Sequence, residues 1–284
     1  MKSFEKTFTQ QESIPEDGIA RAVEIMRTGR LHRYNLVEGE VSEVSLLEKE
    51  YAEWQGSTYC VACTSGGYAI ALALRLVGVK PGDRVLANAY TLAPVPGAIH
   101  NVGAEPVFIE IDENYHMDCA DFEAKAKSSG AKVLLLSHMR GHIADMNTIM
   151  DICGRYDITL VEDCAHTMGA TWQGIRSGNF GKVAAFSTQT YKHMNSGEGG
   201  FLTTNDPDLA ARAVISSGSY MLYARHGAIP EQEYFDAVKY NAPNYSGRMD
   251  HLRAAMLRSQ MPHLEQNVDR WNSLYDDLHR RIDM

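Results

Sequence analysis

The sequence predicts an α/β fold in which a mostly parallel sheet is sandwiched by helices. Two observations carry this reading. Short apolar runs alternate with amphipathic segments along the whole chain, with no internal repeat, low-complexity tract or linker-like stretch between them. Several of those runs also end in a charged or hydroxyl residue, as buried parallel strands do when their carboxyl ends open on a cleft. Composition agrees: 284 residues, 44% hydrophobic and 22% charged, suffice for one large domain or two smaller ones.

Taken in order, residues 14–28 carry apolar positions at helical spacing, with Pro15 and acids at the start and Gly29 past the end. Residues 30–34 read as irregular, and residues 41–54 as a second helix stopped by Gly56. Residues 59–64 form a short strand, and Ser65-Gly66-Gly67 then opens the apolar helix 68–77. A strand feeding a glycine turn and a helix N-terminus is an anion-binding arrangement, because free N–H groups and the helix dipole point outward there. Strands follow at 84–88, 105–111, 133–137 and 158–161, alternating with helices at 93–102, 118–129 and 145–156. The fourth of these strands ends in Glu162 and Asp163. A strand at 183–187 leads to Lys192, and Gly197-Glu198-Gly199-Gly200 precedes another at 201–204. A helix at 207–216, a polar, aromatic-rich stretch at 219–245 and a long helical cover from 250 complete the chain, with a break expected at Pro262.

Charge and cysteine usage narrow the function classes. A net charge of −9 argues against nucleic acid or an anionic membrane as an unaided partner. No run of eighteen apolar residues exists, and the opening stretch MKSFEKTFTQQESIPEDG is too polar for a secretory signal, so a cytoplasmic location is expected. Five dispersed cysteines suit reduced thiols. Cys60 and Cys63 spell C-x-x-C, but one such pair in an apolar run reads as small core residues, and no metal is expected.

The chemistry concentrates between Thr159 and Asp206. An acid closes one strand, a lysine follows the next, and a hydroxyl, Ser187, lies between them. Pyridoxal 5'-phosphate (PLP) chemistry requires this set: a Schiff-base lysine, an acid on the pyridinium nitrogen, and donors for the phosphate on the far side. Taken singly each residue has a structural reading: Lys192 as a loop lysine, Asp163 as a cap, His166 and Ser187 as packing residues.

As an ordered set, the segment resembles the DegT/DnrJ/EryC1/StrS family of sugar aminotransferases. The family pattern E-D-x-A-Q/H, G-A, F-S-x(4)-K, G-E-G-G is matched by Glu162 to His166, Gly169-Ala170, Phe186-Ser187, Lys192 and Gly197 to Gly200. His138 to Gly141 is similar to the family's H-L-x-G turn, and Asn244 to Ala255 to its N-Y-R-M-x-E-L-x-A-A, with two residues inserted. The resemblance implies the large domain of a fold-type-I PLP-dependent transferase, with L-glutamate or L-glutamine as amino donor. A keto-sugar, nucleotide-linked in many relatives, or a cyclitol ketone would be the acceptor. It also implies a homodimer with shared active sites. Lys192 and Asp163 would be catalytic. His166 would lie near the cofactor's phenolic oxygen, Ala165 on one ring face, and Ser187 at the phosphate.

Ser65, Gly66 and Gly67 match the family's phosphate loop, but Gly67 replaces the usual threonine. Leu92 stands where an aromatic usually stacks on the ring, leaving either Leu92 or Tyr90 to cover that face. Asn244 would reach the phosphate of the partner subunit. A dehydratase branch replaces the lysine with histidine; Lys192 followed by His193 keeps the lysine. The resemblance divides the chain into a PLP-binding large domain, residues 1–250, and the start of a helical connection, residues 251–284. Relatives continue into a small C-terminal domain, which a shortened chain, a split gene or a decayed paralogue would lack. The competing reading is therefore a split-gene or regulatory subunit that binds PLP but needs a separate C-terminal domain. The helices after Met249 should then expose an apolar face where that domain docks.

Overall fold

A computed structural model describes residue 5 and residues 11–282; most of the polar opening stretch and the last two residues lie outside the described residues. The elements run α1 (Glu16–Thr28), α2 (Glu43–Gln55), β1 (Tyr59–Cys63), α3 (Gly66–Leu76), β2 (Arg84–Asn88), α4 (Pro94–Asn101), β3 (Glu105–Ile109) and α5 (Cys119–Ser128). Then come β4 (Val133–Ser137), α6 (Met146–Tyr156), β5 (Thr159–Asp163), β6 (Thr171–Trp172), β7 (Ile175–Arg176), β8 (Val183–Ser187) and β9 (Gly200–Thr204). Helices α7 (Pro207–Val214), α8 (Gln232–Val238), α9 (His251–Gln260) and α10 (Leu264–Ile282) follow.

Seven strands form one sheet in the order β1-β9-β8-β5-β4-β2-β3. All neighbours pair in parallel except β9, which is antiparallel to both β1 and β8. The mostly parallel sheet expected from the sequence is thus observed, and β4, β8 and β9 are buried along their whole length. One face packs against α3, α4, α7 and α8, through residues such as Leu72, Ile99, Val214 and Phe235. The other face is covered in two parts, by α2 and α9 around Tyr51, Phe186 and Phe201, and by α5 and α6 around Phe122 and Ile149. Apolar residues on both faces explain why these strands read as continuous runs rather than alternating ones.

Helix boundaries follow side-chain capping. Asp118, Asp145, Asp206 and Asp250 each accept backbone N–H groups at the first turns of α5, α6, α7 and α9. Two features differ from the sequence expectation. The 171–176 hairpin is too short to leave an alternating signal. Helix α7 ends at Val214, and a wider turn through Ser219, with Gly218 at φ 112°, replaces its expected last residues. Pro262 lies in a 3₁₀ turn that separates α9 from α10, at the expected break.

Candidate active site

Strand ends build the site, because β2, β4, β5 and β8 all point their carboxyl ends at one edge of the sheet. Asn88 closes β2 and grips the backbone of Ser137: its Oδ1 accepts the Ser137 N–H at 2.9 Å and its Nδ2 donates to the Ser137 carbonyl at 3.1 Å. Ser137 in turn donates its hydroxyl to Asp163 Oδ2 at 2.8 Å, and the Ala165 N–H donates to Oδ1 at 3.1 Å. Burial pushes the Asp163 carboxyl up from its ordinary pKa, against the pull of these two donors and the more distant charges of His138 and Lys192.

Its neighbour Glu162 faces the other side of the sheet, as strand alternation requires. Oε1 accepts the N–H groups of Phe180 at 2.9 Å and Gly181 at 2.7 Å; Oε2 accepts Gly178 N–H at 2.8 Å and meets His138 Nε2 at 3.1 Å. Burial opposes its ionisation, but His138 and the backbone donors outweigh it and hold the carboxyl below its usual range. The two adjacent acids therefore do different work: Glu162 pins the 178–181 loop, and Asp163 faces the cavity.

Lys192 lies in the β8–β9 connection. Thr188 N–H bonds to Gly199 O, Ser196 N–H to Thr188 O and Lys192 N–H to Gln189 O, which close the loop on itself. Gln260 of α9 clamps it from outside, accepting Asn195 N–H and donating to Asn195 O, both at 2.8 Å. The Lys192 Nζ meets His166 Nε2 at 2.6 Å, while His166 Nδ1 accepts the Arg140 N–H at 3.2 Å. A neutral imidazole that accepts at Nδ1 carries its proton on Nε2. It then donates to Lys192, whose amine must offer a lone pair. Burial draws both groups the same way, His166 to about 4, with the Lys192 and Arg140 charges adding to it, and Lys192 downward, against the pull of Asp163 and with a smaller push from Arg140. The geometry thus turns a lone pair of the Lys192 amine towards His166.

Across the cavity, Ser65 caps α3 by accepting Tyr68 N–H at 3.1 Å, and the first-turn amides of Gly66 and Gly67 have no intrahelical acceptor. The fit there is tight: a Cβ on Gly66 would lie 2.8 Å from Ser187 Cβ, and one on Gly200 2.7 Å from Gly66 N. These glycines let the helix start approach the end of β8. A Cβ on Gly67, by contrast, would meet only Pro94 Cβ, at 4.0 Å.

A cavity of about 380 Å³ joins these parts. Nine of the eleven residues expected from the sequence line it: Ser65, Gly66, Gly67, Leu92, Asp163, Ala165, His166, Ser187 and Lys192. Tyr90 does not; it packs on Tyr115, with ring centroids 5.2 Å apart. Asn244 does not line it either, its Oδ1 accepting the backbone and hydroxyl of Ser246. Ser137, Met139, Gln189 and Glu198 line it without having been singled out from the sequence. A buried acid at one end, free amides and hydroxyls at the other, and an amine between them suit a flat phosphorylated pyridine such as PLP.

His138, Glu162 and Cys164 also converge, with potential ligand atoms within 4.8 Å of one another. Each Glu162 oxygen already has two partners, so the cluster is built as a hydrogen-bonded support.

Residues 13–283 match the model of the DegT/DnrJ/EryC1/StrS aminotransferase family. Among similar proteins is the GDP-perosamine synthase of Caulobacter vibrioides, 32% identical over 223 residues, covering 78% of this chain and 57% of that protein. Another is the pleiotropic regulatory protein of Geobacillus stearothermophilus, 33% identical over 250 residues, covering 87% and 60%. The solved structure of 3-amino-5-hydroxybenzoic acid synthase superposes with a TM-score of 0.79 at 28% identity, over 93% of this chain and 65% of that one. The fold is that of the fold-type-I large domain. The chain spans about three fifths of the length of the curated relatives it matches.

Proposed function

The chain belongs to the DegT/DnrJ/EryC1/StrS aminotransferase family, and from that premise we propose that it is a PLP-dependent aminotransferase. It would move an amino group from L-glutamate or L-glutamine to the ketone of a sugar, nucleotide-linked or free, or of a cyclitol. The observation that carries the reading is the pairing of a lone-pair amine on Lys192 with a buried carboxylate on Asp163, both lining one cavity.

When bound, PLP supplies an electron-withdrawing ring that takes up the electrons of a broken C–H bond. The residues then divide the work. The Asp163 carboxylate, fixed by Ser137 and Ala165, would accept a hydrogen bond from the ring nitrogen and keep it protonated. The amides of Gly66 and Gly67, with the hydroxyls of Ser65 and Ser187, would hold the phosphate against the positive end of α3. Ala165 and Leu92 would cover the ring, and His166 would donate from Nε2. The Lys192 amine would form the covalent attachment and, once released by the incoming amine, carry a proton between donor and cofactor carbons. A homodimer in which Asn244 contributes to the partner's phosphate site, and a cytoplasmic location with its five thiols reduced, complete the proposal. Among the described residues no helix is long and apolar enough to cross a membrane.

The test is chemical capture. Incubation with PLP and borohydride should fix the cofactor on the peptide carrying Lys192, and Lys192→Ala should abolish this. Fixation on another lysine, persisting in that variant, would remove the assignment. The second reading, a regulatory or split-gene subunit, is favoured by the likeness to the pleiotropic regulatory protein. On that reading residues 251–282 begin a connection to a separate C-terminal domain. Its docking face would include Leu274, Tyr275, Leu278 and Ile282, which α10 leaves exposed. A chain that captures PLP at Lys192 yet leaves its spectrum unchanged with L-glutamate, and gains conversion only when that domain is supplied, fits the second reading.

A further inference from the structure

A second chamber, of about 350 Å³, shares Ala165, His166 and Lys192 with the cofactor cavity. Arg140, His166, Lys192 and His193 supply its polar lining, and Tyr191 and Trp271 its aromatic walls; no carboxylate lines it. Trp271, from α10, stands edge-on to His193 at 5.5 Å between ring centroids. A positive charge in a cleft with no acid beside it attracts anions.

Arg140 is the fixed charge there. It holds a left-handed backbone conformation, φ 57° and ψ 20°, which is uncommon for a residue with a side chain and persists only where its surroundings impose it. The hydrogen bond from its N–H to His166 Nδ1 is one such constraint. Its side chain is exposed, and among the described residues no acid pairs with its guanidinium; Arg75, Arg84 and Arg248 also lack a carboxylate partner but bond to carbonyl oxygens instead.

We propose that Arg140 recognises the carboxylate of the amino donor. This rests on the aminotransferase reading. The donor's amine must replace the Lys192 amine, and its α-carboxylate is bonded to the carbon that bears that amine. Arg140 and Lys192 line the same chamber, with His166 bonded to the backbone N–H of one and the amine of the other, so an anion held in that chamber lies close to that carbon. The diphosphate of a nucleotide-linked sugar is separated from the reacting ketone by part of the sugar ring, and fits the position less well. Arginine also suits a carboxylate geometrically, since its planar fork matches the two oxygens.

The test needs no turnover. Glutarate carries the donor's carboxylates without its amine, so its binding to the full chain without PLP can be followed by calorimetry. Glutarate should bind, more weakly as salt is added, and glutaramide should not. Arg140→Ala should weaken glutarate at least tenfold, and Arg140→Lys should restore part of the loss. Glutarate bound equally by wild type and Arg140→Ala, or not bound by wild type, overturns the proposal. Loss of uridine diphosphate binding in Arg140→Ala with glutarate unchanged also overturns it, assigning Arg140 to an acceptor phosphate. Capture of PLP at Lys192 is measured separately in both proteins. If capture fails while glutarate still depends on Arg140, the aminotransferase reading falls and the carboxylate site stands.

Discussion

The division of labour between Glu162 and Asp163 can be tested by Glu162→Gln, a change that keeps the shape and removes the charge. Each Glu162 oxygen has two partners, and three of the four are backbone N–H groups that cannot turn away. A glutamine offers one oxygen and one amide nitrogen. Turned so that its oxygen faces Phe180 and Gly181, its nitrogen faces the Gly178 N–H, and only His138 can adapt by changing tautomer. One buried donor is then left without an acceptor, at a cost of about 1–3 kcal/mol. The two remaining bonds lose their charge assistance, which roughly halves each. The expected destabilisation is therefore about 2.5–6 kcal/mol at neutral pH, a large share of a domain's stability.

The sign with pH follows from linkage. The folded-state pKa of Glu162 is depressed, so its stabilisation is present above the unfolded value and lost as pH falls through the folded one. Urea unfolding of wild type and variant should differ at pH 7 and converge as pH falls below the usual glutamate range. A variant as stable as wild type at pH 7, or a gap that persists unchanged in acid, would refute the reasoning.

Asp163→Asn should act in the opposite direction on the chain without PLP. Its folded-state pKa is raised, so ionising it opposes folding above the unfolded value, and the variant should melt higher at pH 7 with the gain vanishing below about pH 4; a lower melting temperature at pH 7 would contradict this. Gly66→Ala and Gly67→Thr should separate in PLP titrations followed by absorbance. The first forces a Cβ to within 2.8 Å of Ser187 Cβ and should weaken binding, at an overpacking cost of about 1–3 kcal/mol. The second enters open space and adds a hydroxyl; one bond to a charged phosphate, about 1.5–3 kcal/mol, should tighten binding roughly tenfold or more. Both variants shifting affinity the same way would show that the cradle does not work as described.

The strand ends were legible because each combines two local signals, an apolar run and a polar terminator, and both survive folding unchanged. Asp163, Ser187 and the Ser65–Gly67 turn are such cases. Which of two adjacent acids faces the cavity was also within reach, since alternation along β5 separates Glu162 from Asp163. The supports were not. Asn88 and Ser137 look like ordinary strand-end residues until β4 is found between β2 and β5, and strand order is not written locally. The choice between Leu92 and Tyr90 depended on a contact with Tyr115, a residue in the loop after β3. Arg140 was passed over within its motif, because its meaning comes from the absence of an acid around it in space.

The same distinction explains why elements far from the cavity matter to it. Lys192 is carried by a loop whose own hydrogen bonds fix its shape, but whose position is fixed by Gln260 of α9. Helix α9 is held in turn by α2, where Arg258 bridges Glu43 and Glu50. Helix α2 is anchored to the sheet through Glu48, buried and bidentate with Arg33 at 2.8 Å, which also accepts the Ala62 N–H of β1. Breaking one partner of such a buried pair strands a charge and costs about 3–5 kcal/mol. Helix α2 is thus the outer end of a chain of contacts that leads through α9 to the loop carrying Lys192.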